Sequence, residues 1–134
     1  MSENFTAAEL DTITAAYTNA LLWSEVDEDG DPMDSTYDAS DIDADSRERI
    51  RNTVEAFVSA NADDLREALN NDNYGYGPGD VAQIGHDFAL TRNRHGAGFW
   101  DRGLGAVGET LTEAAQKMGE TSLYTENGIV SLDY

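Results

Sequence analysis

Cysteine is absent from the chain, which excludes disulfides, thiolate nucleophiles and cysteine-ligated zinc sites. No apolar run approaches the ~20 residues that a membrane-spanning helix needs. The first residues, MSENFTAAEL, also lack the basic and then apolar regions of a secretory signal. These absences predict a soluble intracellular protein, and a length of 134 residues suits one domain over residues 1–134.

Basic residues are scarce, and Lys117 is the only lysine beside seven arginines. The chain has 8 basic and 27 acidic residues, which gives a formal net charge of −19. Such a chain repels nucleic acid and anionic membranes, so we expect neither as a direct partner and a basic protein instead. Low lysine with abundant aspartate also resembles the proteins of salt-in halophiles. The acidity is therefore open to two interpretations, a binding surface and halophilic adaptation.

Motifs for catalysis and for cofactor binding are missing as well. The sequence has no GxSxG nucleophile elbow, no GxGxxG loop and no phosphate-binding P-loop. No serine is placed beside either histidine by its spacing, and no HExxH-like metal spacing occurs. We therefore expect no catalytic residue, no cofactor and no resident metal, and an enzyme is not the favoured interpretation.

Hydrophobic periodicity predicts a mainly helical α+β domain of about five helices with a small C-terminal β-hairpin. The first helix is expected from about Ala7 to Ser24, because Thr6 and Glu9 form a capping box before regularly spaced apolar residues. An Asn127-Gly128 turn between alternating apolar residues predicts the hairpin. The remaining helix signals are capping patterns at Asp45 with Glu48, at Asn61 before a helix to Asn70 and at Asp80 with Gln83, and then a shared face of Leu104, Val107, Leu111 and Met118.

Two segments lack apolar periodicity. Residues 25–44 are predicted to form an acidic loop, and residues 70–80 a turn-rich linker with Tyr74 and Tyr76 exposed. In the first, Asp27, Asp29 and Asp31 fall at calcium-loop positions one, three and five, with Asp38 at position twelve. However, proline stands where the sharp turn of such a loop needs glycine, and position twelve lacks the usual glutamate. A solvated acidic loop is therefore favoured over a calcium site.

Ten acidic residues and no basic one lie between residues 25 and 45, which we call the acidic segment. Duplex DNA presents one charge per ~1.7 Å of its axis, and carboxylates spread along a small protein can occupy the basic groove that binds it. General salt adaptation would not need the acids concentrated in one segment, so the clustering favours DNA mimicry. The predicted partner-binding residues are Asp27, Glu28, Asp29, Asp31, Asp34, Asp38, Asp41, Asp43 and Asp45, with Asp63, Asp64 and Glu67 as an extension.

A second candidate site is the stretch GHDFALTRNRHGAGFWDRG, residues 85–103, which holds both histidines and three arginines. Its arginines and Gly-rich backbone could cradle a phosphate or nucleotide, and its histidines with Asp87 could ligate a metal. Alternatively, the arginines pair with Asp87, Asp101 or the acidic segment, while Phe99 and Trp100 anchor the core. The predicted ligand-binding residues are His86, Arg92, Asn93, His95, Trp100 and Arg102.

This stretch resembles a small, mostly uncharacterised family of bacteriophage and archaeal-virus proteins that carry a GHDFxLTRNxHGAGFWDRG-like segment. The LLWS run at residues 21–24 before the acidic loop and the terminal hairpin resemble the same family. The resemblance implies a small viral accessory protein in the host cytoplasm, with no activity that transfers to this chain.

Small acidic viral proteins often act against host defence, so the leading hypothesis is inhibition by DNA mimicry of a basic nucleic-acid-binding host protein, of restriction or CRISPR type. The alternative is a small-ligand or nucleotide-binding protein built on residues 85–103, with the acidity reflecting halophilic adaptation. A structural or assembly factor of the virion is a third hypothesis. A homodimer is compatible with the sequence, although no heptad seam compels it.

Overall fold

The computed structural model describes residues 5–27, 29–71, 74–75, 80–94 and 98–133. Within these ranges the chain forms a mainly helical α+β domain, as predicted, and no helix is long and apolar enough to cross a membrane. The helices are α1 (Ala7–Ser24), α2 (Ala44–Ala60), α3 (Ala62–Leu69), α4 (Val81–Arg92) and α5 (Ala106–Lys117). The strands are β1 (Ser122–Glu126) and β2 (Ile129–Asp133), and short 3-10 helices cover Met33–Ser35, Ala39–Asp41 and Phe99–Asp101.

The predicted first helix and terminal hairpin are both confirmed. The Thr6 hydroxyl accepts the Glu9 backbone N–H at 3.1 Å, and the Glu9 carboxylate accepts the Thr6 N–H at 2.9 Å, so the capping box is complete. In the hairpin, Leu123 pairs with Leu132 in antiparallel register. Asn127 and Gly128 both have positive φ, as the predicted two-residue turn requires.

Helix α4 packs directly on α1, and this contact organises the core. A Cβ on Gly85 would lie 2.1 Å from the Ile13 carbonyl oxygen, so only glycine allows the two backbones to approach this closely. One turn later Phe88 stacks on Phe57 of α2 with ring centroids 3.9 Å apart, and Tyr17 of α1 lies against the same Phe88 ring. The core is therefore an aromatic cluster shared by α1, α2 and α4.

One predicted helix start was wrong, and at two correctly predicted starts, Asn61 and Asp80, the side chain does not cap the helix. Helix α2 begins at Ala44 with Asp43 as its N-cap, because the Asp43 carboxylate accepts the Ser46 N–H at 2.8 Å and is also held by the Ser131 hydroxyl. Asn61 stands at the start of α3, but its amide donates back to the Phe57 carbonyl of α2, and α3 ends at Leu69. The Asp80 side chain makes no capping hydrogen bond to α4.

Predictions of side-chain exposure failed at two aromatic residues. Tyr74 is fully buried rather than exposed, whereas Tyr76 lies outside the described residues. Phe99 is buried as predicted, but its neighbour Trp100 is 53% exposed and is not a core anchor. On the last helix Leu111 is buried, while Met118, which follows the helix, is exposed. Turn residues indicate where the backbone bends, but the packing of other elements decides which ring points inward.

Candidate functional site

The acidic segment is folded onto the domain rather than left as a free loop. Met33 and Ile42 are buried and anchor it to the core. Val26 and Pro32 form an antiparallel bridge that closes the first part of the segment into a tight loop. The second part lies along β2, where the Asp43 N–H donates to the Val130 carbonyl at 3.1 Å. The described carboxylates of this segment are therefore presented from a backbone that is held against the domain.

Four of the predicted partner-binding carboxylates accept hydrogen bonds from backbone N–H groups and so hold this backbone in place. Asp27 accepts the N–H groups of Asp29 and Asp31, at 2.9 and 3.1 Å. Asp38 accepts the Ser40 N–H at 2.9 Å, while the Asp41 carboxylate accepts the Asp38 N–H at 2.9 Å. Asp43 caps α2 as described above. These carboxylates hold the turns in place, so their first role is structural.

The other described carboxylates of the predicted surface point to solvent. Asp29, Asp31 and Asp34 are exposed, and within the described ranges no salt bridge reaches any of them. Asp45 is exposed, and its Oδ2 lies 3.9 Å from Nη1 of Arg49, one helical turn away. Exposed pairs of this kind contribute little to stability. Glu28 lies outside the described residues. We call Asp29, Asp31, Asp34 and Asp45 the displayed acids.

Several arginines are engaged by other parts of the molecule. Arg51 pairs with Asp11 and with Glu55. The Arg66 guanidinium forms a bidentate pair with Glu9, donating to its two carboxylate oxygens at 2.8 and 3.0 Å. Both arginines therefore pair with carboxylates outside the displayed acids.

The proposed extension to α3 lies at the far end of α1. Arg66 of α3 pairs with Glu9 at the N-terminal end of α1. The acidic segment begins at the other end of α1, directly after its last residue, Ser24. At 1.5 Å per residue, the length of α1 separates its two ends by about 25 Å. Asp63, Asp64 and Glu67 therefore lie near the end of α1 opposite the loop of residues 26–32.

Within the 85–103 stretch, Arg92 is buried and serves the fold. Its guanidinium donates to the Gly119 and Met118 carbonyls at 2.8 and 3.0 Å and to the Tyr17 hydroxyl at 3.0 Å. The neighbouring Asn93 accepts the Thr121 N–H at 2.8 Å. These two side chains join the end of α4 to the end of α5 and to the residue before β1.

Arg102 pairs with Asp87, as the internal-pairing hypothesis predicted. Asp87 is fully buried, and the Arg102 guanidinium donates to its carboxylate at 2.8, 3.1 and 3.2 Å. The Gln83 amide donates to the same carboxylate at 2.8 Å. Tyr74 lies in this cluster, and burial together with the negative charge of Asp87 raises the pKa of its phenol. This cluster fastens the chain after residue 98 to α4.

The remaining members of the predicted ligand set do not join Arg92 or Arg102 in the contacts above. Trp100 is exposed, His86 faces a different surface, and His95 lies outside the described residues. Within the described ranges, no group of three His, Asp or Glu side chains converges on a metal position. The small-ligand hypothesis stays a prediction, and its two described arginines are held by internal bonds.

The surface that faces His86 is a groove between α1 and α4, with a volume of about 540 Å³. Trp23, 57% exposed, forms one wall, and its ring centroid lies 6.1 Å from that of His86. Ala16, Ala20 and Ala82 are among its lining residues. We call this the Trp23–His86 groove. The sequence signal that could have revealed it is an aromatic residue at the end of a helix whose preceding turns carry alanine.

Because the Asp43 carboxylate holds the acidic segment in place, we expect its contribution to the free energy of unfolding to depend on pH. The hydrogen bond from the Ser131 hydroxyl has the largest effect in lowering the pKa of Asp43, and the hydrogen bond from the Ser46 N–H lowers this pKa further. A lowered pKa adds stability that is complete above the ordinary pKa of 3.8 and is lost as the pH falls through the folded value. The stability difference between wild type and Asp43→Asn should therefore shrink between about pH 5 and pH 2.

Urea unfolding followed across that pH range measures this difference. Comparison with the variant removes the separate effect of self-repulsion, which also changes as this acidic chain is protonated. Asp29→Asn is the control, since its carboxylate is exposed. A stability difference for Asp43→Asn that stays constant between about pH 5 and pH 2 would contradict a structural role for the Asp43 carboxylate.

No family model, no curated protein and no solved structure shows a significant match to this chain. The resemblance of residues 85–103 to viral proteins therefore stays a prediction. Fold-level analogy offers no route to function here, so function must be inferred from the residues of the site itself.

Proposed function

We propose that this chain is a small viral accessory protein that inhibits a basic nucleic-acid-binding protein of its host by imitating DNA. The observation that carries the proposal is the arrangement of the acidic segment. Its displayed acids stand on a backbone that other carboxylates of the same segment hold in place. The partner class is a host defence protein of restriction or CRISPR type, and the site of action is the host cytoplasm.

The energetic argument is one of preorganisation. A disordered acidic loop would lose conformational entropy on docking, which weakens binding for each ångström squared of interface. Here Met33 and Ile42 are already buried and the turns are already closed by hydrogen bonds. The displayed acids can therefore meet a basic groove with a small ordering cost, as the phosphates of duplex DNA do.

Halophilic adaptation explains the composition but not this local organisation. Solvation requires only that acids be exposed, and it is indifferent to where along the chain they stand. In this chain 10 of the 27 acidic residues lie between residues 25 and 45, with no basic residue among them. Clustered charge of one sign raises association rates with an oppositely charged partner, and this effect falls with salt.

The test is a variant that neutralises only the displayed acids, Asp29→Asn, Asp31→Asn, Asp34→Asn and Asp45→Asn. Tagged protein is incubated with host lysate and washed first at low and then at high salt. We expect a retained nucleic-acid-binding protein that leaves at high salt and is bound severalfold more weakly by the variant. The free energy of unfolding should change little, because exposed charges contribute little to stability.

A matched control changes the same amount of charge elsewhere, with Glu109→Gln, Glu113→Gln, Glu120→Gln and Glu126→Gln. All four are exposed, and Glu109 stands in the first turn of α5 as Asp45 does in α2, so the helix-dipole effects also match. DNA mimicry requires the control to retain the partner. Equal loss in both variants would show that only total charge matters, and equal retention would remove the displayed acids from the interface.

A further inference from the structure

The Trp23–His86 groove adjoins the acidic segment and belongs to the same surface. Asp34, one of the displayed acids, lines the groove together with Trp23 of α1 and His86 of α4. A partner that docks on the displayed acids therefore meets the groove at the edge of its footprint. Because the two surfaces share Asp34, a segment of that same partner is the occupant that the position of the groove favours.

The groove combines an apolar surface with acidic groups. Alanine side chains from both helices line it, and the Trp23 indole is largely exposed beside them. Asp34 and Asp80 contribute carboxylates, and Asn19 and Gln83 contribute amides. Among the residues described, neither lysine nor arginine lines the groove. Its chemistry therefore suits a side chain with an apolar stem and a cationic end.

Arginine fits this combination better than other side chains do. Its methylene stem packs on apolar surface while its guanidinium remains polar. The planar guanidinium stacks on indole rings and donates in two directions to carboxylates and amide oxygens. Tryptophan and arginine are also the residues most enriched among those that dominate interface energies.

We propose that the Trp23–His86 groove binds an arginine side chain of the basic partner, next to the DNA-mimicking surface. This inference rests on the proposed function for the identity of the partner. It adds a specific contact to a surface that otherwise recognises charge alone. DNA has no counterpart to this contact, so the groove distinguishes the intended partner from other basic nucleic-acid-binding proteins.

The test uses two peptides, acetyl-Lys-Lys-Arg-Lys-Lys-amide and the same peptide with citrulline in place of arginine. Citrulline keeps the shape of the side chain and removes its charge. Titrations are made in the Trp100→Phe background, where Trp23 is the only tryptophan and reports on the groove by its fluorescence. We expect the arginine peptide to change this fluorescence saturably and to bind severalfold more tightly than the citrulline peptide.

Variants of the groove then separate the local contact from general attraction, with affinity measured by calorimetry where Trp23 is absent. Trp23→Ala, at an exposed position, should reduce the arginine-to-citrulline affinity ratio severalfold, while Trp23→Phe should restore part of it. Equal affinity for both peptides in the wild type, or a ratio that Trp23→Ala leaves unchanged, would overturn the groove proposal.

The same variants distinguish failure of this inference from failure of the proposed function. If the four-residue Asp→Asn variant loses the host partner and Trp23→Ala retains it fully, the DNA-mimicking surface stands and the groove proposal is wrong. If the arginine peptide occupies the groove but the Asp→Asn variant retains the partner, the proposed function is wrong and the groove is a cation site of its own.

Discussion

Replacing Arg102 by Met should lower the free energy of unfolding by about 3–5 kcal/mol, the range observed when one partner of a buried ion pair is removed. The cause is the Asp87 carboxylate, which is fully buried and would keep only the Gln83 amide among its partners named above. Urea unfolding at pH 7 measures the effect. Arg94→Met is the control, because Arg94 is exposed and its replacement should change stability by less than about 0.5 kcal/mol.

A double-mutant cycle shows whether the loss comes from the uncompensated charge. Asp87→Asn combined with Arg102→Met removes both charges, so the double variant should be more stable than the sum of the two single losses predicts. Coupling energies of about 0.5–3 kcal/mol are typical of residues in direct contact. Strict additivity, or an Arg102→Met variant as stable as Arg94→Met, would contradict the importance of this pair for the fold.

Gly85→Ala should be the second strongly destabilising change, at about 3 kcal/mol. The added Cβ would lie 2.1 Å from the Ile13 carbonyl oxygen and 2.7 Å from the Tyr17 backbone nitrogen. Both are main-chain atoms, so no rotamer change relieves the contact and α1 must move away from α4. The better helix propensity of alanine, worth about 1 kcal/mol, offsets only part of this cost.

Gly108→Ala is the matched control for this prediction, since Gly108 also lies inside a helix. A Cβ there would lie 3.1 Å from its nearest neighbours, about 1 Å further than the closest contact at Gly85. We expect Gly108→Ala to change stability much less than Gly85→Ala in thermal and urea unfolding. A stabilised Gly85→Ala variant would show that the close approach of α1 and α4 is not required, and it would remove the basis for the groove's shape.

Local signals in the sequence were sufficient where neighbours in the chain make the contact. The Thr6 and Glu9 capping box and the Asn127-Gly128 turn each involve groups within three residues of one another. Leu65 and Leu69 are likewise buried on one face of α3, as their spacing indicates. Such features depend on backbone geometry and on one helical period, which the order of residues determines directly.

Contacts between distant residues decided the features that the sequence could not predict. Asp43 rather than Asp45 caps α2, and one of its partners, Ser131, lies 88 residues further along the chain. The groove brings Trp23 beside His86, from two helices whose backbones approach closely at Gly85. Spacing and composition do not record which helices meet, so the aromatic residue that follows alanine-bearing turns in α1 gave no indication that α4 would form the second wall of the groove.

The acidic segment shows the same division between sequence and structure. Its charge and its position were evident from the sequence, but the sequence did not show which of its acids hold the backbone and which face solvent. The hydrogen bonds of Asp27, Asp38 and Asp41 show that some carboxylates shape the loop, and the remainder are displayed to solvent. A variant that mixed the two groups would confuse loss of folding with loss of binding.

The measurement that tests DNA mimicry most directly is competition on the retained host partner. The partner is held on immobilised protein at low salt, and short duplex DNA is added in increasing amounts. Mimicry predicts that DNA releases the partner, because both bind the same basic groove. It also predicts that the four-residue Asp→Asn variant loses its partner at lower DNA concentrations than the Glu→Gln control does. A partner that binds duplex DNA while remaining fully on the immobilised protein would contradict the proposed function.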